Sequence, residues 1–249
     1  MHIFIPLFPL IMGIFNLIQG TSFVGPLIDS DTSSSPSFIT AQQFFKSVNA
    51  SLPFLATPLN NSTIQAMIHK NLYTYPDFMN YAVKIGNITT TDEMAMYLAN
   101  VLYQSNGLTI NYDPICERPK SENCLSLGLN KTVHGSQVNY YGRGYLWIQG
   151  QSAYSDCARD LFGDDSNLLI YPEAIRASTT INWATTAWYW RRFIQPSMTT
   201  FGSTVKLIRP DHCNGSSVEP KKEATAAWNI YMEILKIFAP TSPPSSSYC

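Results

Sequence analysis

Residues 140–154, YYGRGYLWIQGQSAY, combine side chains that readily bind a polar ligand. Arg143 stands between Gly142 and Gly144, and its planar guanidinium can hold a carboxylate or brace a polar wall. The two glycines permit a sharp turn or the close approach of another part of the chain. A tight turn whose arginine forms a structural ion pair is the alternative interpretation, which composition alone favours.

A second polar group, Gln104, ends the clearest predicted helix, Thr91–Gln104. Thr91 is the predicted N-cap, and two acidic residues follow it in the first turn. One face of this helix is apolar: Met94, Tyr97, Leu98, Val101 and Leu102. Gln104 lies seven residues after Tyr97 and shares that inward edge, so its amide must find a partner or line a cleft.

Other helices are predicted around these residues, and alternation typical of strands is scarce. Apolar spacing predicts a helix that ends at Gly163, an aromatic helix over residues 182–194, and a last helix that starts at Pro220. The tryptophans of the aromatic helix are more often core than a sugar-stacking surface. We predict a short helix after residue 62, and loops over residues 71–76 and 120–138. The predicted fold class is mainly α-helical.

The length and composition predict one large domain and exclude a highly charged partner that would be bound mainly by electrostatic attraction. The 249 residues carry a net charge of -1, and 13% are charged, about half the usual share. We expect no nucleic acid partner. Residues 1–20 are apolar and uncharged and end in small residues, which is typical of a cleaved secretory signal. A membrane anchor is the alternative, which Pro6 and Pro9 disfavour.

We therefore expect a secreted, extracellular, monomeric protein with no membrane association after signal cleavage. Residues 21–43 are the predicted linker, residues 44–239 the folded domain and residues 240–249 a tail. Secretion agrees with six glycosylation sequons, at Asn49, Asn60, Asn61, Asn87, Asn130 and Asn214.

The five cysteines leave at least one without a partner in the chain. We predict disulfides that join Cys116 to Cys124 and Cys213 to Cys249, with Cys157 as a buried free thiol on a helix. We expect no metal site and no cofactor, because the chain has no Cys-x-x-Cys spacing and its four histidines are scattered.

Roughly from Phe44 to Phe238, the chain resembles the glycoside hydrolase family 19 chitinases, especially their shorter-looped members. The most specific sections are YYGRGYLWIQGQSAYSDCARDLFGDD and WATTAWYWRRF, which resemble the family's YFGRG segment with its following helix and the later aromatic helix. TFGST, residues 200–204, resembles the family's phenylalanine-glycine motif. The resemblance implies a two-lobed, lysozyme-like domain with a cleft for a chain of N-acetylglucosamine.

The resemblance also implies an inverting hydrolysis of β-1,4 bonds by one carboxylic acid and one carboxylate. The family's acid, in a His-Glu-Thr-Gly-Gly-like motif, corresponds to Gln104, and an amide cannot protonate a leaving group. Asp113 matches the basic glutamate of short-looped members but is one methylene shorter. Glu117, or Glu122, is an alternative carboxylate.

The cleft lining differs from the family as well. The resemblance assigns substrate-binding positions to Tyr103, Tyr141, Arg143, Trp147, Gln149 and Arg209. Trp147 stands where the family has glutamine, Gln149 where it has serine or threonine, and Arg209 where it has the asparagine of an Ile-Asn motif. Ala153, His212 and Ala227 also replace polar residues of the family.

Three hypotheses follow from these differences. The first is a secreted chitinase-like protein that has lost much or all of its hydrolysis and retains binding of chitin or N-acetylglucosamine oligomers. The second is an active chitinase that uses Asp113 with another carboxylate. The third is a non-catalytic structural or host-interaction protein on the same scaffold. The sequence favours the first.

Overall fold

The computed structural model describes residues 39–117, 130–133, 136–164, 166–214 and 218–238. Within these ranges the chain is mainly α-helical, as predicted, with one antiparallel two-stranded sheet. The elements are α1 (Ala41–Ser51), α2 (Asn61–Lys84), α3 (Thr91–Gln104), β1 (Asn130–Val133), β2 (Ser136–Asn139), α4 (Gln151–Phe162), α5 (Ser166–Ile170), α6 (Ala174–Ala177), α7 (Thr179–Tyr189), α8 (Phe201–Ile208), α9 (Pro210–Asn214) and α10 (Val218–Phe238). A π-helical turn, Trp190–Ile194, continues α7, and single 3-10 turns cover Leu52–Phe54 and Gln195–Ser197.

Helix α3 forms the centre of the core. Helix α10 packs along α3, α1 packs against α10, and α8 contacts both α3 and α10. The predicted apolar face of α3 is fully buried, which confirms the periodicity of that segment. The predicted N-cap is wrong by one residue: Thr90 is extended, and its hydroxyl accepts a hydrogen bond from the Glu93 N–H at 3.2 Å.

Polar side chains inside the core connect α3 to its neighbours. The Glu93 carboxylate accepts hydrogen bonds from the Trp190 indole and the Gln195 amide, both at 2.9 Å. The Asn100 amide donates to the Thr204 hydroxyl of α8 at 2.8 Å. Because buried polar groups without partners are costly, these bonds fix how the helices pack against one another.

The tryptophans predicted as core residues are core residues. Trp183 and Trp190 are fully buried, and the Trp183 indole donates to the Thr74 hydroxyl of α2 at 2.6 Å. The rings of Trp183 and Tyr145 meet edge to face, with centres 4.6 Å apart. Trp183 and Trp190 therefore have no exposed surface on which a sugar could stack.

The predicted loop over residues 71–76 is wrong, because α2 runs through it without interruption. Pro76 lies inside this helix, where the missing N–H and the ring cost about 3 kcal/mol. The turn that follows buries Phe78 and Ala82 completely, and the Tyr75 hydroxyl donates to the Ile39 carbonyl at 2.7 Å. Tertiary packing thus outweighs the local preference of proline.

Two further boundaries differ from the sequence prediction. Part of the predicted loop over residues 120–138 is the β1–β2 hairpin, in which Asn130 pairs with Asn139. Helix α10 begins at Val218, two residues before Pro220. Proline is tolerated in this first turn because the first N–H groups of a helix have no helical acceptor. No helix in the described part of the chain has the length and apolar character needed to span a membrane.

Of the cysteines, Cys157 is a buried free thiol, as predicted. Cys116 and Cys213 each take part in a disulfide. Their predicted partners, Cys124 and Cys249, lie outside the described residues, so the pairing stays a prediction. The predicted signal, linker and tail boundaries also lie outside the described residues, apart from the start of α1 within the predicted linker.

Arg143 forms the structural ion pair that was the alternative interpretation of its turn. Its guanidinium is 2% exposed and donates to the Glu173 carboxylate through Nη2 at 2.5 Å and Nε at 3.1 Å. It also donates to the Asn139 carbonyl at 2.8 Å and the Tyr154 hydroxyl at 3.0 Å. The Tyr141 ring lies against one face, 3.6 Å from the guanidinium carbon. One side chain therefore joins the end of β2, helix α4 and the residue before α6.

We expect Arg143→Lys to lower the free energy of unfolding by about 2 kcal/mol. A lysine keeps the charge, but its single ammonium cannot reach Glu173, Asn139 and Tyr154 in the geometry of a planar fork. Urea denaturation followed by far-UV circular dichroism measures the change. The matched control is Arg159→Lys, an exposed residue paired with Asp156 at 3.5 Å, for which we expect less than about 0.5 kcal/mol. Equal effects of the two substitutions would contradict the structural role of Arg143.

We also expect the Cys157 thiol to resist alkylation in the folded protein. Burial raises the pKa of this thiol well above its ordinary value, so little of the reactive thiolate exists near neutral pH. Mass spectrometry after iodoacetamide treatment should detect modified Cys157 only when denaturant is present. Rapid modification in native buffer would contradict its burial.

Candidate functional site

An open cavity of about 620 Å³ lies where the end of α3, the start of α4, the π-helical turn and the end of α8 meet. Its wall contains four of the predicted site residues: Gln104, Trp147, Gln149 and Arg209. The other lining residues are Leu146, Ser152, Ala153, Asp156, Tyr189, Phe193, Leu207 and Ile208. We call this space the main cavity.

Gln104 is held in the wall by Arg209. It is the last residue of α3 and is 5% exposed, so its side chain is fixed inside the protein. Its Oε1 accepts a hydrogen bond from Arg209 Nε at 2.9 Å. Arg209 follows the last residue of α8, where the backbone leaves the helix and turns the guanidinium toward α3. The amide predicted to need a partner thus has an arginine as that partner.

Trp147 packs against the same arginine. The Arg209 guanidinium carbon lies 4.3 Å from the centre of the Trp147 ring, a cation-π contact. Trp147 has a φ of 58°, a left-handed conformation that bulky residues rarely adopt. The turn is closed by hydrogen bonds between Arg143 and Ile148, at 3.1 and 2.8 Å, which hold Trp147 in this position. Gln104, Arg209 and Trp147 therefore form one layer in the wall, hereafter the Gln-Arg-Trp layer.

Asp113, the predicted base, does not line the main cavity. Its N–H donates to the Gly142 carbonyl at 2.8 Å, and its Oδ1 accepts from the Ile115 N–H at 2.9 Å. Gly142 fits closely between two neighbours, because a Cβ added there would lie 2.8 Å from the Trp147 Cβ and 3.3 Å from the Asp113 Cβ. The structure therefore places Asp113 beside Gly142 and outside the wall that contains Gln104.

Glu117, the alternative carboxylate, is engaged by Arg176. The two side chains form an ion pair at 2.9 Å. Arg176 also donates to the Tyr141 hydroxyl at 2.7 Å and stacks over the Tyr112 ring at 3.8 Å. Glu117 thus connects the segment after α3 to α6. Glu122, the further alternative, lies outside the described residues.

Tyr141 and Arg143, which were predicted to bind substrate, support the turn. Tyr141 is buried between the guanidinium of Arg143 and the hydrogen-bonding groups of Glu173 and Arg176. Neither residue lines the main cavity. Burial raises the pKa of the Tyr141 hydroxyl, so it remains protonated and serves as a hydrogen-bonding group. Their predicted contact with substrate stays a prediction.

Tyr103 lies on a second cavity, of about 490 Å³, and not on the main one. Its ring meets that of His212 edge to face, with centres 6.1 Å apart. His212 Nε2 pairs with a Glu223 carboxylate oxygen at 2.5 Å. Burial lowers the pKa of His212 and outweighs the opposite effect of Glu223. This pair was not anticipated, because α9 and α10 come together only in the folded chain.

The main cavity also has an aromatic part that was not predicted from the sequence. Tyr189 and Phe193 lie four residues apart across the end of α7 and the π-helical turn, with ring centres 5.1 Å apart. Phe193 is 41% exposed, unlike the buried tryptophans of the same segment. The i, i+4 spacing of Tyr189 and Phe193 could have indicated this contact, but the apolar stripe on the other side of the helix is the stronger pattern.

Comparison with known proteins gives relatives that include plant endochitinases. No family model matches the chain. It is 26% identical over 161 residues to the basic endochitinase CHB4 of Brassica napus, covering 59% of this chain and 54% of that protein. An endochitinase of Arabidopsis thaliana is also 26% identical over 161 residues, covering 59% of this chain and 55% of the relative. The chain thus spans about half the length of these curated relatives.

Solved structures extend the likeness over most of the chain. A bacterial family 19 chitinase matches with a TM-score of 0.54 and 19% identity, covering 85% of this chain and 98% of that structure. Chitinase C of Streptomyces griseus matches with a TM-score of 0.53 and 20% identity, over 85% of this chain and 80% of that one. The class IV chitinase of Zea mays matches with a TM-score of 0.53 and 19% identity, covering 83% of this chain and 96% of that structure.

The predicted resemblance and lysozyme-like fold are confirmed: the chain has the fold of the family 19 chitinases and is related in sequence to plant endochitinases.

Proposed function

We propose that the chain is a secreted chitinase-like protein that binds β-1,4-linked N-acetylglucosamine chains and hydrolyses them slowly or not at all. Three observations support binding: the fold, the named chitinase relatives, and an open cavity with an exposed aromatic side chain. The loss of hydrolysis rests mainly on one contact, the hydrogen bond from Arg209 Nε to Gln104 Oε1.

Gln104 stands at the position that the resemblance assigns to the general acid. An amide has no proton to give at neutral pH, so the proton-transfer contribution, about 100- to 10,000-fold in rate, is lost there. The amide oxygen is moreover turned toward Arg209 as an acceptor. We therefore assign Gln104 the role of a structural partner of the arginine.

Arg209 opposes acid catalysis independently of Gln104. A positive charge within hydrogen-bonding distance favours the ionised form of a carboxyl group and lowers its pKa. A glutamate at position 104 would therefore be ionised beside Arg209, whereas a general acid must carry its proton. The changes at positions 104 and 209 support the same conclusion about the reaction.

The alternative of an active chitinase requires a second pair of carboxylates. An inverting pair lies about 6.5 to 9.5 Å apart across the substrate. Asp113 lies beside Gly142, outside the main cavity, and Glu117 is neutralised by Arg176. Asp156 is the carboxylate in the cavity wall, and it pairs with Arg159 at 3.5 Å. These contacts favour the proposed loss of hydrolysis over an active chitinase.

Secretion and glycosylation remain part of the proposal. The predicted signal lies outside the described residues. The sequon residues Asn49, Asn60 and Asn87 are exposed, so a glycan on any of them would not disturb the core. None of these three residues lines the main cavity.

A carboxylate restored at position 104 tests the account of lost catalysis. We expect Gln104→Glu alone to leave the hydrolysis of chitohexaose near background, because Arg209 would keep the new carboxyl ionised. We expect Gln104→Glu combined with Arg209→Asn to increase the rate by at least about 10-fold over the single variant. Chromatographic separation of the products after long incubation measures both rates.

The matched control for this test combines Gln104→Glu with Arg192→Asn, since Arg192 is exposed and does not line the main cavity. This variant should behave like Gln104→Glu alone. Hydrolysis by the natural protein at about 1 s⁻¹ or faster, the range of ordinary enzymes, would refute the loss of catalysis. Full activity of the single variant would support the lost acid and refute the effect of Arg209.

Retention on insoluble chitin tests the binding part of the proposal. We expect the natural protein to be retained, and Phe193→Ala to reduce retention about 5-fold, because the variant loses an aromatic surface of the main cavity. Tyr171→Ala is the control: Tyr171 is likewise 41% exposed but does not line the cavity. Failure of the natural protein to bind chitin would favour the structural or host-interaction alternative.

A further inference from the structure

The charge of Arg209 in the main cavity has no neutralising partner among the described residues. Nε donates to the neutral Gln104 amide, and one face of the guanidinium packs against Trp147. Asp156, in the same wall, pairs with Arg159 at 3.5 Å. Asp211 and Glu223 lie 3.8 and 2.5 Å from His212 Nε2, and neither forms an ion pair with Arg209 in the described part of the chain. The remaining neighbours in the wall are uncharged.

The unused hydrogen-bond donors of Arg209 are fixed in direction. A guanidinium has five N–H groups, of which Gln104 takes one. Contact with Trp147 prevents the group from rotating freely and excludes water from one face. The four donors on the two Nη nitrogens have no acceptor among the described residues. Such a held fork matches the two oxygens of a carboxylate.

The rest of the cavity suits a sugar ring that carries such a group. Phe193 and Tyr189 offer aromatic faces, and Gln149 and Ser152 offer polar side chains. A neutral N-acetylglucosamine unit has no charged group to pair with Arg209, so binding it would remove water from the guanidinium without an ionic partner. A carboxylate on the sugar supplies that partner.

We propose that the main cavity selects saccharides that carry a carboxylate, which Arg209 binds through its two Nη nitrogens. This selectivity rests on the proposed function, because it assumes that the cavity holds a saccharide. It makes the Gln-Arg-Trp layer a specificity-determining surface, with Gln104 and Trp147 as positioning residues that hold the guanidinium. Within the proposed class of saccharide ligands, the preferred one therefore carries a negative charge, which chitin lacks.

The test uses three tetrasaccharides with one backbone: chitotetraose, its C6-oxidised derivative with carboxylates in place of the primary alcohols, and its de-N-acetylated, cationic derivative. Isothermal titration calorimetry at low ionic strength measures their affinities for the full-length protein. We expect the oxidised derivative to bind about 10-fold more tightly than chitotetraose and the cationic one to bind most weakly. The preference should decrease as salt is added.

Variants identify the residue responsible. Arg209→Gln should abolish the preference for the oxidised derivative, whereas Arg192→Gln should preserve it. Asp156→Asn, which removes the carboxylate from the cavity wall, should increase the preference about 2-fold and keeps the proposal testable if Arg209→Gln does not fold. Thermal denaturation establishes whether each variant is folded.

The outcomes separate this inference from the proposed function. Equal affinity for chitotetraose and its oxidised derivative, or a preference that survives in folded Arg209→Gln, would overturn the selectivity and leave saccharide binding intact. Absence of binding by all three saccharides would overturn the proposed function and this inference with it. Tight binding of the oxidised derivative alone would support the selectivity and remove neutral chitin as the ligand.

Discussion

The buried guanidinium of Arg143 imposes the constraint on which this fold depends. A charge that is 2% exposed must be paired inside the protein, and its partners come from β2, α4 and the residue before α6. Asn139, Tyr154 and Glu173 lie four, 11 and 30 residues from Arg143 along the chain, so the arginine is fully paired only when the end of β2, α4 and the residue before α6 are all in place. Removal of any one partner would leave the buried guanidinium partly unpaired, which destabilises the fold.

The turn that contains Arg143 supports a second arginine, Arg209, which has a different role. Its backbone holds Trp147 in a left-handed conformation, and Trp147 in turn packs against Arg209. Arg143 is neutralised by Glu173, whereas no described carboxylate neutralises Arg209. The two guanidinium groups thus illustrate how the surroundings decide a role: the first stabilises the fold, and the second presents charge to a cavity.

Periodicity predicted much of the fold because burial repeats along a helix. The inward face of α3, the glycine that ends α4 and the buried tryptophans of α7 all appeared in the spacing of apolar residues. Pro76 misled the prediction, since the cost of a proline in a helix is local and the packing of Phe78 that offsets it is not. Thr90 and Thr91 are both good caps, and only the backbone angle distinguishes them.

The candidate site was less predictable, because its contacts join distant segments. Gln104 was expected to need a partner, but nothing in the sequence identified Arg209 as that partner, 105 residues away. The ion pair between Glu117 and Arg176 is equally non-local. Tyr103 follows the substrate-binding pattern of the resemblance yet lies on the other cavity, since adjacent residues at the end of a helix face different directions.

The close fit at Gly142 affects what the YGRG segment reveals about a protein that contains it. The atom that would clash there is the Cβ of Trp147, and every residue except glycine carries a Cβ. The glycine is therefore required whether position 147 carries a glutamine, a tryptophan or another side chain. A search based on YGRG detects a backbone geometry and is blind to the substitution next to it. Relatives gathered in this way share an architecture, and their chemistry has to be established residue by residue.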